Sequence, residues 1–330
     1  MDRTITRSRR HTSIGVAMTA TLLLAACGSS ATTSSSGSSS SSSGPSTQQN
    51  IAGEVPAAVR AKAPLQIATD ASYAPNEFVD LSGNVVGWDI DLAKDVCKVL
   101  GVACTINNVT FSDIIPALLE TPSKYQLSFS SYSPTADREA KGIDFVTYYQ
   151  AGEAWLAKTG GASISSAADM CGHKVAVEAG TTEEADAWGY MGMKPGGVKI
   201  AGDTDHCTAA SKPDITVQSF DTQTEANSAL LSGRADYGWA DEPVADYQVK
   251  LEKGKLAIGG QPCSVAPYGV AMVHSLGLNR AVQDAIAYLI DHGFYKNVLN
   301  TWGVQAGAIS STAVTVNNNN SVGSTCVPSY

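Results

Sequence analysis

Short apolar runs that end in polar residues alternate with amphipathic stretches from Leu65 onward. The first run is LQIAT, and DIDLAKDVCKVLG then repeats apolar residues at helical spacing and stops at Gly101. Strands that alternate with helices favour parallel sheets covered by helices, with ligand sites at the carboxyl ends of the strands. The sequence therefore predicts an α/β fold whose functional residues follow the strands.

The same alternation continues toward the C-terminus. The further strand-like segments are CTINNVT, YQLSFS, HKVAVEAG, DITVQSF, ADYGWAD and YGVAMV. The further helix-like segments are SDIIPALLE, opened by Ser112, and TEEADAWGYM, TQTEANSALLSG, LNRAVQDAIAYLIDHG and FYKNVLNTWG. These patterns place both kinds of element along most of the chain.

The N-terminus has the layout of a secretory signal. Four arginines precede the uncharged stretch 14–26, which is too short for an ordinary membrane-spanning helix. The stretch ends in Leu24-Ala25-Ala26-Cys27. This ending resembles the bacterial lipobox, which implies that residues 1–26 are a signal peptide and that Cys27 carries a diacylglycerol. A plain signal peptide cut near the same place is the alternative.

The charge balance excludes one class of partner. Residues 1–26 hold four of the 22 basic and one of the 31 acidic residues, so the other 304 residues carry 18 basic and 30 acidic side chains. Such a net charge of −12 argues against nucleic-acid binding, which needs a basic surface. A chain of 304 residues is long enough for two domains of ordinary size.

Residues 28–49 consist almost entirely of Ser, Thr and Gly, without charges or aromatics. Such a segment behaves as a flexible tether, with a reach of about 25 Å. We expect residues 27–60 to form a lipid-anchored tether at the outer face of the cell membrane. Beyond residue 60 no apolar run is long enough to span a bilayer.

Six cysteines remain after Cys27, and an even number in an exported chain indicates disulfides. Cys97 and Cys104 flank a helix end and the start of the next strand, which brings them close together. The other four cysteines pair as Cys171 with Cys207 and, by elimination, Cys263 with Cys326. Spacing supports only the first pair, and the connectivity of the other two stays open.

Catalytic and cofactor motifs are missing from the sequence. It contains no GxSxG, HExxH, Walker or GxGxxG pattern, and His173, His206, His274 and His292 are scattered without metal-ligand spacing. We therefore expect no cofactor, no metal and no catalytic residues.

Eight segments together resemble the polar-amino-acid solute-binding proteins of ABC importers, family 3, such as the lysine/arginine/ornithine-, histidine- and glutamine-binding types. They are TDASYAPNEF, GWDIDLAKDVCKVLG, FSDIIPALL, SSYSPTADR, DFVTYYQAG, KVAVEAGTTEEA, SGRADYGWADEPVADY and HGFYKNVLNTWG. The resemblance implies a monomeric receptor that delivers an amino acid to the membrane subunits of an ABC permease.

The resemblance also implies a fold of two α/β lobes joined by crossing strands, with ligand in the cleft. Lobe 1 would comprise 61–156 and 267–304, lobe 2 would comprise 157–266, and 305–330 would be a C-terminal tail. The pair Cys97–Cys104 matches a disulfide of family members. Departures from the family are one extra residue between Arg138 and Phe145, a longer loop at 192–212, the tail, and Asn76 at a usually aromatic position.

SSYSPTADR would hold the ligand carboxylate. The planar fork of Arg138 suits bidentate capture of a carboxylate. Ser130, Ser131 and Ser133 offer hydroxyls around the same group, and Ser133 would cap a helix that starts at Pro134. The alternative is an ordinary capped helix with a surface arginine.

The resemblance places a second group of ligand contacts in lobe 2. Thr181 and Glu184 have the spacing of a capping box, and Thr181 and Thr182 would present free N–H groups to the carboxylate. Asp241 matches the residue that receives the ligand α-ammonium. Tyr73 and Phe111 match the aromatics on either side of the ligand side chain, although ordinary core packing would also explain them.

Asp70 and Glu178 match positions near the ligand side chain; the alternative is that Glu178 points to solvent and Asp70 only caps the strand. Glu178 stands where glutamine-binding relatives have a lysine, and two desolvated carboxylates require a cation. We therefore expect arginine, lysine or ornithine as ligand, with glutamine or histidine as alternatives. The rival classes are an enzyme like the cyclohexadienyl dehydratase of this fold and a sensor module, for which the chain lacks a signalling domain.

Overall fold

The computed structural model describes residues 44–328, which contain eleven α-helices and thirteen strands. The helices are α1 (Gln49–Ala52), α2 (Ala57–Arg60), α3 (Trp88–Leu100), α4 (Phe111–Leu119), α5 (Ala136–Glu139), α6 (Thr182–Gly189), α7 (His206–Ala209), α8 (Gln223–Ser232), α9 (Glu242–Leu251), α10 (Asn279–Asp291) and α11 (Phe294–Trp302). Short 3-10 helices lie at Ala167–Met170, His274–Leu276, Gln305–Gly307 and Ser311–Ala313.

The strands form one large sheet and two small ones. They are β1 (Leu65–Thr69), β2 (Ser72–Tyr73), β3 (Glu77–Val79), β4 (Val85–Val86), β5 (Cys104–Asn108), β6 (Leu127–Ser128), β7 (Ile143–Lys158), β8 (Lys174–Glu178), β9 (Met193–Lys194), β10 (Val198–Lys199), β11 (Thr216–Phe220), β12 (Tyr237–Asp241) and β13 (Leu256–Val273). The large sheet has the order β11-β8-β12-β7-β13-β6-β1-β5, and the small ones are β10-β9 and β2-β3-β4.

Two long antiparallel strands lie in the middle of the large sheet. β7 and β13 have 16 and 18 residues and pair with each other. β6, β1 and β5 continue the sheet beside β13, whereas β12, β8 and β11 continue it beside β7. The flanking pairs β1–β5, β1–β6, β8–β11 and β8–β12 are parallel. This confirms the predicted α/β architecture with a mostly parallel sheet.

Two large apolar clusters occupy different parts of the sheet. The first packs α3, α10 and α11 against β1 and β6, and Trp88, Leu92 and Leu289 are fully buried in it. The second lies around Trp155 and Trp239 on β7 and β12. Apolar side chains at helical spacing bring α3 onto the sheet, and α3 ends at Gly101, whose φ of +63° favours glycine.

The folded region begins before residue 60, so the predicted boundary of the tether is wrong at its C-terminal end. Ile51, Val55 and Val59 are 6%, 4% and 4% exposed and belong to the first apolar cluster. Their spacing of four residues places them on one side of the segment that contains α1 and α2. The predicted signal peptide of residues 1–26, the predicted lipid site Cys27 and the Ser-rich residues up to 43 lie outside the described residues.

Two helix starts differ from the sequence-based expectation. α4 begins at Phe111 with Thr110 as its N-cap, so Ser112 lies inside the helix. α5 begins at Ala136, and the hydroxyl of Thr135 accepts a hydrogen bond from the Arg138 N–H at 3.2 Å. Ser133 is therefore not the cap, because the chain stays extended past Pro134 and the first free N–H groups lie beyond Thr135.

All three expected disulfides are formed. Cys97–Cys104, Cys171–Cys207 and Cys263–Cys326 have Cα–Cα distances of 6.3, 5.5 and 5.0 Å. The third disulfide ties the C-terminal segment to β13 and makes it part of the folded region.

The segment 305–328 packs along both β7 and β13. The N–H of Thr147 on β7 donates to the carbonyl of Thr315 at 2.9 Å, and the N–H of Val322 donates to the carbonyl of Val265 on β13 at 2.7 Å. Val314 belongs to the first apolar cluster, whereas Val327 belongs to the second. The segment therefore contacts both parts of the sheet.

Candidate functional site

A small cavity lies where polar residues follow the strands on both sides of β7 and β13. Its volume is about 20 Å³, room for about one water molecule. Its lining contains all eleven residues predicted to contact a ligand, namely Asp70, Tyr73, Phe111, Ser130, Ser131, Ser133, Arg138, Glu178, Thr181, Thr182 and Asp241, together with Glu77 and Glu183. We call it the central cavity.

Strand ends bring these residues together. Asp70 follows β1, the serines follow β6, Glu178 ends β8 and Asp241 ends β12. β1 and β6 run in one direction and β8 and β12 in the other, because β6 and β12 pair antiparallel with β13 and β7, which are antiparallel to each other. The carboxyl ends of the two sets face each other near the middle of β7, so residues far apart in sequence meet there. Phe111 reaches the same place at the start of α4, where its ring stacks on Tyr132 with a centroid distance of 4.2 Å.

Arg138 is the single basic residue in the lining of the central cavity. Its Nη1 donates to the carbonyl of Ser133 at 2.6 Å, and its Nη2 donates to the carbonyl of Gly180 at 2.8 Å. The guanidinium lies 4.9 Å from the ring centroid of Tyr132 and 5.7 Å from that of Phe111. The contacts fix the guanidinium at the cavity wall, and only 9% of the residue is exposed.

The start of α6 forms the opposite wall. Thr181 caps the helix by accepting from the Glu184 N–H at 3.2 Å, as the capping box predicts. The Glu184 side chain, however, accepts from the N–H of Gly180 at 2.7 Å rather than from Thr181. Gly180 has a φ of +83°, which lets the chain turn sharply between β8 and α6.

Asp241 and Tyr73 contact each other across the cavity. The Tyr73 hydroxyl donates to Oδ2 of Asp241 at 3.0 Å, and the Asp241 N–H donates back to that hydroxyl at the same distance. Asp241 has no basic partner at hydrogen-bond distance within residues 44–328. Its carboxyl group is therefore held by two neutral hydroxyls, those of Tyr73 and Tyr268, which a cation could replace.

Glu178 points into the protein rather than to solvent, with 2% of the residue exposed. Its Oε1 accepts from the Ser72 hydroxyl at 3.3 Å and from the Gln223 N–H at 3.2 Å. Asp70 accepts from the N–H groups of Ser72 and Phe111 at 3.0 and 2.8 Å. Asp70 thus closes a turn at the end of β1 and also lines the cavity.

A second layer of acids lies beneath the serines. Ser130 accepts from the Asp70 N–H at 2.8 Å and donates to Glu77 at 3.4 Å. The Ser131 N–H donates to Asp89 at 3.1 Å. The unusual Asn76 is buried and links this layer to α3, because its side-chain nitrogen donates to Ser131 at 2.9 Å and its oxygen accepts from the Trp88 indole at 2.7 Å.

Burial raises the pKa of every carboxyl in the lining. The pKa values of Glu178 and Asp241 lie well above their usual range because of burial and, second, the charges of Asp70 and Glu183 respectively. Burial and the neighbouring Asp89 raise the pKa of Glu77 in the same way, and burial raises the pKa of Asp89 to about 6. The cavity therefore holds five carboxyls that keep their protons more readily than exposed ones, beside one guanidinium.

Two lining residues, Glu77 and Glu183, are absent from the sequence-based prediction. Both lie inside segments that match the family, Glu77 in TDASYAPNEF and Glu183 in KVAVEAGTTEEA. Proximity in the chain is thus the signal that could have identified them. Within residues 44–328 no group of three or more His, Cys, Asp or Glu side chains is arranged to hold a metal ion.

The comparisons with known proteins agree on one family. Residues 65–305 match the bacterial extracellular solute-binding proteins, family 3. An arginine-binding protein of Corynebacterium glutamicum is 27% identical over 270 residues, which cover 82% of this chain and 84% of that protein.

Solved structures share the fold. An ancestral arginine-binding protein bound to arginine superposes with a TM-score of 0.62 at 32% identity and covers 72% of this chain and 97% of its own. An ancestral amino-acid-binding protein that is a precursor of cyclohexadienyl dehydratase has a TM-score of 0.59 at 31% identity, over 72% of this chain and 94% of its own.

Proposed function

Because the chain belongs to the bacterial extracellular solute-binding proteins of family 3 and is therefore an amino-acid-binding receptor rather than an enzyme, we propose that its ligand is a cationic amino acid, arginine first. The observation that carries this proposal is the chemistry of the central cavity, whose lining contains five carboxyl side chains and one guanidinium. The named relatives that bind arginine support the same ligand.

The α-carboxylate and α-ammonium of the ligand would use the two ends of the cavity. Arg138 faces the start of α6, so its guanidinium and the N–H groups near Thr181 and Thr182 surround one carboxylate. Asp241 would accept the ammonium in place of the Tyr73 hydroxyl. Arg138 and Asp241 would thus bind the carboxylate and the ammonium of the ligand. The other carboxyls of the lining would remain for the ligand side chain.

The remaining acids distinguish a cationic side chain from a neutral or acidic one. Asp70, Glu77, Glu178 and Glu183 have no basic neighbour in the lining apart from Arg138. Desolvated carboxylates cost several kcal/mol each unless a cation pairs with them. A guanidinium or ammonium supplies that cation, whereas a glutamate side chain would be repelled.

Ligand entry requires the cavity to enlarge. A volume of about 20 Å³ is smaller than any amino acid, and contacts such as Tyr73–Asp241 and Arg138–Gly180 now close it. We propose that two lobes, 61–156 with 267–304 and 157–266, separate along β7 and β13 and close again around the ligand. Small-angle scattering would contradict this if the radius of gyration were the same with and without arginine.

A thermal-shift screen of the common amino acids tests the proposed ligand. Arginine is expected to raise the melting temperature most, followed by lysine and ornithine, because a ligand that binds only the folded state stabilises it. Glutamine and histidine serve as the neutral and weakly basic comparisons, and glutamate as the acidic one. A larger shift with glutamate than with arginine would contradict the charge argument.

The affinity for arginine should increase as the pH rises from 5 to 8. The carboxyls with raised pKa keep their protons to a higher pH than exposed carboxyls do, and a guanidinium pairs only with their ionised form. These carboxyls contribute fully to the stability of the ligand-free protein below the pKa that they have in the unfolded chain, about 4. The contribution is lost as the pH rises through the higher pKa that they have in the folded chain.

Melting temperatures measured across this pH range, with and without arginine, check the prediction. The protein alone should melt at a lower temperature at pH 8 than at pH 5, and the increment from arginine should grow. Glutamine is the matched control, because its ammonium needs ionised Asp241 as that of arginine does, whereas its neutral side chain does not need ionised Glu178. An arginine increment that falls with rising pH would show that the acids do not contact the ligand side chain.

The receptor is extracytoplasmic, as its family is, and its attachment to the cell follows from the N-terminal sequence. We propose that the Leu-Ala-Ala-Cys ending directs a lipid to Cys27 and that a monomer delivers its ligand to an ABC permease from this anchor. In residues 44–328 no helix is long and apolar enough to cross a membrane. Release of a Cys27→Ser protein into the medium would support the anchor, and retention would contradict it.

A further inference from the structure

A second cavity lies beside the central one and has a different lining. Its volume is about 280 Å³, and it shares only Ser133 and Thr182 with the central cavity. Its other lining residues come from the loop between β6 and α5, from β7, α6 and β13, and from the C-terminal segment, among them Glu153, Asp186, Ser264 and Thr325. We call it the lateral cavity.

Glu153 is the most deeply buried charged residue of the lateral cavity, with 5% of its surface exposed. Its Oε2 is buried and has no hydrogen-bond partner within residues 44–328. The charged groups that act on it are Glu183 and Asp186 from α6 and Asp241 from β12, and all three are acids. Burial, and next the charge of Glu183, raise the pKa of Glu153 well above its usual range.

The rim of the lateral cavity is held in place by the C-terminal segment. Cys326 is bonded to Cys263, which pairs with Glu153 in the sheet. The N–H of Ser264 donates to the carbonyl of Ser324 at 2.8 Å, and the N–H of Cys326 donates to the Ser264 hydroxyl at 2.9 Å. The residues at the mouth therefore have defined positions.

The lining selects for one chemical class. A buried carboxylate is stable only with a proton or with a cation beside it. No residue of the lining is basic, so a ligand carboxylate would find no cation to pair with there and would lie beside Glu153 and Asp186. Hydroxyl groups and the apolar surfaces of Pro134, Ala266 and Val327 suit an alkyl chain that ends in an ammonium.

We infer that the lateral cavity is a second binding site, for a small aliphatic amine without a carboxylate, whose ammonium pairs with Glu153. Ser133 and Thr182 line both cavities, so this site adjoins the amino-acid site, whereas Glu153 lines the lateral cavity and not the central one. The inference does not depend on which amino acid the central cavity binds.

Thermal shift and calorimetry with putrescine on the full chain test this inference. Putrescine should raise the melting temperature of the wild type and of Glu178→Gln, and Glu153→Gln should weaken its binding by about tenfold or more, ~1.4 kcal/mol per decade. Glu120→Gln is the matched control, because Glu120 is exposed at the far end of α4 and the change removes the same charge. It should bind putrescine like the wild type.

A second variant covers the case in which Glu153→Gln does not fold. Thr325 is exposed at the rim, so Thr325→Lys should leave the fold intact and weaken putrescine binding by placing a cation at the mouth. Three results would overturn the inference. They are no shift with putrescine, a shift that sodium chloride of equal ionic strength reproduces, and a shift that Glu178→Gln abolishes but Glu153→Gln leaves unchanged.

Discussion

Replacing Arg138 by alanine is expected to weaken arginine binding by about two decades or more. Arg138 is the single base in the lining of the central cavity and is 9% exposed, so nothing else there can neutralise the ligand carboxylate. Removing one partner of a desolvated charge pair costs ~2–5 kcal/mol, and ~1.4 kcal/mol corresponds to one decade. Isothermal titration calorimetry with arginine measures the loss directly.

Two further variants separate recognition from folding. Arg138→Lys keeps the charge but loses the planar fork that also reaches Ser133 and Gly180, so its affinity should lie between wild type and Arg138→Ala. Arg280→Ala removes a cation whose side chain is 79% exposed and should bind like the wild type. Near wild-type affinity of a folded Arg138→Ala protein would exclude Arg138 from the binding site.

Replacing Glu178 by lysine should reverse the preference between arginine and glutamine. Glu178 is 2% exposed and lines the cavity, so a lysine at this position would place an ammonium beside the ligand side chain. That ammonium would repel the guanidinium of arginine. Arginine binding should weaken by about two decades or more, given ~2–5 kcal/mol for a lost buried charge pair. Glutamine binding should change far less, because its amide carries no charge.

The control for this change is Glu120→Lys, which alters the charge equally at an exposed position. Glu120 lies about 13 Å along α4 from Phe111, at 1.5 Å per residue. Glu120→Lys should leave the affinities for arginine and for glutamine as in the wild type. Equal losses for arginine and glutamine in Glu178→Lys would mean that Glu178 supports the local structure through Ser72 and Gln223 without reading the ligand charge. Glu178→Gln repeats the test if the lysine variant does not fold.

Local features of this fold could be predicted because they depend on residues close in sequence. The apolar spacing of α3 and its end at Gly101 follow from a few consecutive residues. The cap of α6 needs only Thr181 and Glu184. The short separation of Cys97 and Cys104 likewise allowed their pairing to be inferred. The matching segments extended this local information to the residues that meet in the central cavity.

Composition misled the prediction where apolar residues are few. The Ser-rich stretch suggested a tether as far as residue 60, although Ile51, Val55 and Val59 recur every four residues and pack into the first apolar cluster. Ser133 was a plausible cap by residue type, but the direction of the chain after Pro134 makes Thr135 the cap.

Only the tertiary structure decided which groups face each other and which carboxyls are buried, and with that their pKa values. Tyr73 and Asp241 are 168 residues apart and meet at 3.0 Å, and Ser72 and Glu178 are 106 residues apart and meet at 3.3 Å. The addition of Glu77 and Glu183 to the lining, and the burial of Glu153 beside the C-terminal segment, also depend on such long-range packing.

The sequence by itself determined the alternating elements and the residue types at the strand ends, because local spacing encodes both. The raised pKa values of the carboxyls in the two cavities arise from the long-range packing, since the pKa of a carboxyl depends on the solvent and charges around it rather than on its neighbours in the chain.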